Sequence, residues 1–212
     1  MADNYLGKKM EDYMAGRTIA PTKKHQPSLL KLLTRNRSHR AFDSTFVVRE
    51  DQLRKIIEVN TKTPSARNQQ VLRFRPVLKD EADKILPHIR MGAALPELHL
   101  PEKGYEPNSY IIICSTKEED RYVSIDLGIA AQSMLLQATE IGLNGICIAA
   151  FDKGAIKEAF ALRYEPLMIL AIGRGMDRIE LTEIGEHESH NYYRVDGTHY
   201  VPKVRVEDLI IK

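Results

Sequence analysis

Net charge is what this sequence has least of. Its 212 residues carry 31 Lys and Arg against 29 Asp and Glu, a balance of +2. That removes any general pull towards nucleic acid or a membrane surface, so an anion site has to be local. No basic stripe is interleaved with aromatics, as a nucleic-acid face would need. Cysteine is nearly absent too. Cys114 and Cys147 each sit inside an apolar run. They read as buried thiols, not as a disulfide framework or a metal site, and they point to a reducing compartment, the cytoplasm. No run approaches the ~18 apolar residues of a membrane span. The first residues mix Asp3, Glu11 and Asp12 with lysines and do not read as a secretion signal. Internal repeats and low-complexity tracts are missing as well.

Several catalytic signatures are equally absent. Gly173-Arg174-Gly175 lacks the third glycine and the following helix of a dinucleotide fingerprint. There is no Gly-Lys-Ser/Thr phosphate loop and no Gly-x-Ser-x-Gly elbow. His187-Glu188-Ser189-His190 misses the two-histidine helical spacing of a zinc site and lies in a polar stretch, so no metal is expected. No side chain is singled out as a catalytic acid, base or nucleophile.

What remains is a globular composition, 43% hydrophobic and 28% charged, long enough for one sizeable domain. Residues 1–27 read as an N-terminal extension, with a helix near 4–15 and an arm holding Pro21 and Pro27; residues 28–212 form the domain. Helices are expected over 28–35, 49–62, 80–89 and 122–141, the last apolar on two sides and therefore seeking two burial partners. One partner would be the chain's own sheet, the other the same helix of a second subunit; the alternative is a central helix fully buried in one large domain. Strands are expected at 71–78, 110–115, 145–151 and 166–173. The run 110–115 is β-branched throughout and should be buried on both faces. Met91–Pro107 is a long loop of the kind that serves as a lid. Residues 178–199 read as polar and irregular, and Leu209-Ile210-Ile211 as a tail needing burial. Irregular alternation of helices and buried strands means α+β, with a mixed sheet inside helices.

Three stretches carry candidate chemistry. Asn36-Arg37-Ser38-His39-Arg40 packs two guanidinium groups and a hydroxyl into one bend, a set suited to a phosphate; a solvated basic helix end is the alternative. Pro64-Ser65-Ala66-Arg67-Asn68-Gln69-Gln70 is a polar loop, either a plain connector or a set of groups aimed at a planar heterocycle. Lys203 and Arg205 sit two apart, on one face if extended.

Taken together in order, these stretches resemble the nitroreductase family of FMN-dependent oxidoreductases. The family's Arg-Arg-Ser-x-Arg bend stands here as Asn36–Arg40, and its Ala-Pro-Ser-x-x-Asn-x-Gln-Pro-Trp-x-Phe stretch as Thr63–Phe74. Its long helix opening with Asp and small residues is matched at Asp126–Gln132, its Gly-x-x-x-Ile-Gly-Gly-Phe strand at Gly145–Phe151, and its Pro-Lys-x-Arg close at Pro202–Arg205. Asn36 replaces an Arg, Val71-Leu72 replaces Pro-Trp, and Ala149-Ala150 replaces the glycine pair. The resemblance implies an intertwined homodimer with FMN at the subunit interface. It assigns Arg37, Ser38, Lys203 and Arg205 to the phosphate and ribityl chain, and Arg40 to the N1–O2 edge of the ring. Pro64, Ser65 and Asn68 would come from the other subunit, and the backbone N–H groups of Ala149 and Ala150 would face N5 and O4. It further implies ping-pong hydride transfer from NADH or NADPH to nitroaromatic or quinone-like acceptors. A flavin store or sensor without turnover, and a family member with another reductive reaction, are the alternatives.

Overall fold

The fold was obtained as a computed structural model, which describes residues 5–15, 27–92 and 100–211. The arm at Pro21 and the middle of the Met91–Pro107 loop lie outside the described residues.

The centre of the molecule is β2, Tyr110–Ser115, in which all six residues are buried. Alternation sends its side chains both ways. Ile111 and Ile113 pack in one core with Met134 and Ala138. Tyr110, Ile112 and Cys114 pack in the other with Ile148 and Ile156. Beside it lie β1 (Leu72–Val77) and β4 (Glu165–Gly173), and beyond β4 lies β3 (Asn144–Ile148), in the order β1-β2-β4-β3. Every pairing in this sheet is antiparallel. The expected mixed sheet is thus corrected: the β-branched run is buried on both faces because helices cover both, not because it pairs in parallel.

One face is covered by α3 (Glu50–Glu58) and α4 (Arg121–Glu140). Asp120 caps α4 by accepting the N–H groups of Tyr122 and Val123 at 2.9 and 2.8 Å. Gly142 ends its last turn at φ +82°, a conformation that favours glycine. The other face carries α5 (Lys153–Ala159), capped by Asp152 through the Ala155 N–H, together with 3-10 turns at Lys79–Lys84 and Leu86–His88. Those turns replace the helix expected over 80–89; Pro87 removes a donor that an α-helix there would need. Two more helices stand outside the core: α1 (Tyr5–Met14) and α2 (Leu29–Arg35).

The stretch 178–199 is not irregular. It supplies β5 (Arg178–Ile184) and β6 (Tyr193–Val195), which flank β7 (Thr198–Val204) in a second sheet. The mixed pairing expected of the main sheet occurs here, β5 parallel and β6 antiparallel to β7. The turn Asp196-Gly197, both at positive φ, matches the right-handed twist of a two-residue hairpin. The apolar tail is not buried within the chain: α6 (Val206–Leu209) exposes Val206 and Leu209, and Ile210 and Ile211 are exposed beyond it, Ile211 at 98%. Among the described residues no helix is long and apolar enough to cross a membrane.

Candidate functional site

The bend after α2 is laced to two other segments. His39 N–H donates to Gly145 O at 3.2 Å, and Ser38 pairs with Gly145 as an isolated bridge. Gly145 has no room for a side chain: a Cβ would stand 2.6 Å from Ala171 O and from Leu135. On the other side, the Asp177 carboxylate accepts the Arg40 and Ala41 N–H groups at 2.6 and 2.9 Å, and Met176 N–H donates to Ala41 O. Gly175 lies against the His39 ring so closely that a Cβ there would be 2.2 Å from Nδ1. These contacts hold the two arginines at fixed positions.

They face a cavity of about 370 Å³ lined by Asn36, Arg37, Ser38 and Arg40 from the bend, by Gln132 and Leu135 from α4, and by Gly145 and Cys147 from β3. The far wall is the second sheet. His199, Val201 and Lys203 alternate on one face of β7 and all three line the cavity, with Tyr192 beside them. The Arg40 guanidinium lies 4.8 Å from the centre of the Tyr192 ring, a cation–π contact.

The wall is rich in polar nitrogens with no partner. Arg37 Nε, Arg40 Nε and both ring nitrogens of His199 are buried and unpaired. Arg37 spends one N–H on Leu33 O at 2.7 Å and Arg40 one on Ser38 O at 3.1 Å, so each guanidinium is anchored with the rest to spare. Burial pulls the Arg37 guanidinium below its ordinary pKa, yet an arginine stays charged near neutrality. Buried donors without acceptors cost about 1–3 kcal/mol each. A cluster of them around one cavity is the complement of an anion with several oxygens.

The other predicted residues lie elsewhere. Arg205 does not line this cavity. The strand ends at Val204, so Arg205 leaves the alternation, heads α6 and bonds Asp208 at 2.8 Å on the surface. Pro64 and Ser65 line a second cavity of about 340 Å³ with Asp126 and Ala130 of α4. The Ala66 N–H donates to Asp126 Oδ1 at 2.8 Å, which pins the loop to that helix. Arg67, Asn68 and Gln70 all have φ near +50°, a strained run of the kind found at ligand clamps. Ala149 and Ala150 are exposed just past β3. Cys147 is exposed in the first cavity, which corrects its reading as a core thiol, while Cys114 is buried. The enclosing walls still push the Cys147 thiol up to about 11.

Sequence reasoning passed over His199, Tyr192 and Asp177. The signal for His199 was the alternation His199, Val201, Lys203, hidden because the segment before it was taken as irregular. Asp177 had no signal, since its role depends on a contact 137 residues away in sequence. Asn36, a departure from the family pattern, is buried in the wall, whereas Arg35 before it is exposed.

An α+β core carrying a cationic pocket, walled by the chain's own C-terminal strands, is the class the fold defines. The nitroreductase family model matches residues 33–174. The chain belongs to the nitroreductase family. Among curated relatives, a supposed nitroreductase of Methanocaldococcus jannaschii is 33% identical over 57 residues, 27% of this chain; the match spans 29% of that relative's own length. A nitroreductase family protein of Streptococcus pneumoniae TIGR4 is 17% identical at a TM-score of 0.62, over 87% of this chain and 100% of that one. A supposed nitroreductase solved in complex with FMN, from Exiguobacterium sibiricum, is 17% identical at a TM-score of 0.57, over 71% of this chain and 90% of that one. At such identities the likeness to these structures is one of fold.

Proposed function

We propose that the chain is an FMN-dependent oxidoreductase, acting as a homodimer in the cytoplasm, which takes hydride from NADH or NADPH and delivers it to nitroaromatic or quinone-like acceptors by a ping-pong route. The observation that carries this reading is the cluster of buried, unpaired donors on Arg37, Arg40 and His199 around one cavity. Those residues fit a phosphate monoester on a planar cofactor. The family membership and the FMN complex of a structural neighbour support the same group.

When bound, FMN supplies the hydride-accepting and hydride-donating centre, one open face serving donor and acceptor in turn. The chain's own part is to bind and orient. Arg37, Ser38 and Lys203 are assigned to the phosphate and ribityl chain; charged hydrogen bonds contribute roughly 1.5–3 kcal/mol each. Arg40 is held by Asp177 and Tyr192 as a fixed cation for the ring's N1–O2 edge. Ala149 and Ala150 are assigned to the N5–O4 edge through their backbone N–H groups. No side chain is required as acid or base. Arg205, paired with Asp208 away from the cavity, is left out of the phosphate set.

The homodimer rests on two observations. At 100° per residue, Asp126 and Ala130 project about 120–180° around α4 from Gln132 and Leu135. The Pro64–Asn68 loop and the bend therefore flank opposite sides of one helix, and one ligand meets both only if two chains contribute. Meanwhile α4 exposes Tyr122 and Ile125, and α2 exposes Leu29, Leu30 and Leu33, an apolar surface that a second copy would cover.

The test is to identify the chromophore of purified protein by mass and then mix it with NADH or NADPH in a stopped-flow instrument. Flavin absorbance should bleach with a nicotinamide and return on adding a nitroaromatic or a quinone. Colourless protein that does not take up FMN overturns the cofactor. Yellow protein that neither nicotinamide bleaches overturns the oxidoreductase and leaves a flavin-binding protein.

A further inference from the structure

His199 is the second residue of β7, and its side chain is 2% exposed. Neither ring nitrogen has a partner, although both are buried and the residue lines the cationic cavity. Asp177 Oδ1 stands 3.8 Å from Nε2, too far for a hydrogen bond. Asp177 also lies 3.6 Å from His39 Nδ1 and is itself 3% exposed. Burial raises its carboxyl, but the His39 imidazole and the Ala41 and Arg40 N–H groups outweigh that and leave it below its ordinary value. A carboxylate therefore sits under His199 at neutral pH.

The groups facing the ring come from every element packed against it. Arg40 and His39 come from the bend, and Asp177 from the segment before β5. Arg194 lies on β6, paired in register with His199, and Lys203 lies further along β7. The Tyr192 ring meets it edge-on at 6.4 Å. Burial lowers the imidazole pKa, Asp177 opposes this, and Arg40, Arg194 and His39 add to it, with a net result below the ordinary value. With no anion present, burial, with the cations adding to it, outweighs the single carboxylate, and the ring is neutral at pH 7.5.

We propose that His199 is a direct ligand of the anion held in this cavity and takes up a proton from solvent as that anion enters. This rests on the reading of the cavity as the FMN phosphate site. A dianionic phosphate offsets the repulsion from Arg40 and Arg194. The imidazolium then gives its Nδ1–H to the phosphate and holds Nε2–H as an ion pair 3.8 Å from Asp177 Oδ1, so the buried charge meets an anion on either side. The phosphate monoester, with a second pKa of about 6, is already dianionic at pH 7.5 and exchanges little proton of its own. The proton on His199 therefore comes from the buffer.

The experiment is calorimetric titration of the full chain, freed of flavin, with FMN at pH 7.5 in two buffers of different ionisation enthalpy. Wild type should take up about 0.5–1 proton per FMN bound. His199→Gln should still bind, about fivefold to twentyfold more weakly, with uptake near zero. Histidine C2–H resonances of wild type give the same answer without a variant: one histidine should pass from neutral to protonated at pH 7.5 when FMN is added. FMN binding with equal heats in both buffers and no histidine changing state overturns the proposal for His199 while leaving the FMN site standing. Equal uptake by His199→Gln also overturns it, moving the proton to His39. No FMN binding by wild type overturns the cofactor reading itself, and the His199 proposal with it.

Discussion

The bend at Asn36–Arg40 and the loop at Pro64–Gln70 are both short, polar and placed against α4, yet they end in opposite states. The loop satisfies itself. Ser65 Oγ accepts the Gln70 N–H at 3.2 Å, Asn68 Oδ1 accepts from Gln70 Nε2 at 3.1 Å, and Asp126 takes the Ala66 N–H. Its cost is carried in backbone torsions instead, at three residues of positive φ. The bend has ordinary torsions but unfinished hydrogen bonding, with Arg37 Nε and Arg40 Nε buried and unpaired. A self-satisfied loop is a preformed surface that a ligand rests against. An unsatisfied bend needs its ligand. That difference separates a shape element from a charge element, and it is the reason the proposed anion is assigned to the first cavity.

The comparison breaks most completely at Gly175. A Cβ there would press 2.2 Å from His39 in the bend, so Gly175→Ala should lower the melting temperature by about 4–10 °C and abolish flavin retention. Thermal denaturation and absorbance near the flavin bands measure both; unchanged melting would mean the bend is free to shift. Next comes charge. Arg37→Ala should weaken FMN binding about tenfold to hundredfold, whereas Arg205→Ala, which breaks only a surface pair with Asp208, should stay within about twofold. Fluorescence titration with FMN decides, and equal losses would return Arg205 to the phosphate. A smaller effect than at Arg37 is expected at the loop. Asp126→Ala leaves the Ala66 N–H without its acceptor, so about 1–3 kcal/mol of stability should go and FMN affinity should fall about threefold to tenfold. Because Asp126 does not line the first cavity of its own chain, any loss of affinity would sharpen the case for a second chain at the site; no loss would detach the loop from it.

Much of the core was legible in advance. The apolar runs at 110–115 and 166–173 and the long helix from 121 came through within a residue or two, because a continuous β-branched run or a 3.6-residue stripe reports directly on burial. The second sheet was not. Its strands show no clean alternation in burial, β5 mixing exposed with half-buried residues and β7 opening on two buried polar ones, and such a segment reads as irregular unless the Asp196-Gly197 turn is read first. That omission hid His199. The mixed sheet was misplaced because strand composition reports burial on two faces without reporting the direction of a neighbour.

The sequence by itself determined which residues could form the core and that two guanidinium groups would share one bend, since hydrophobic periodicity and local spacing are properties of neighbours along the chain. Only the tertiary structure decided which cations meet. It put Lys203 in the wall and turned Arg205 away by ending a strand one residue earlier, set Asp177 beneath His39 and His199, and placed the polar loop on the far side of α4 from the bend. Each of these depends on contacts between segments scores of residues apart, where no local pattern carries the information and packing alone selects the partner.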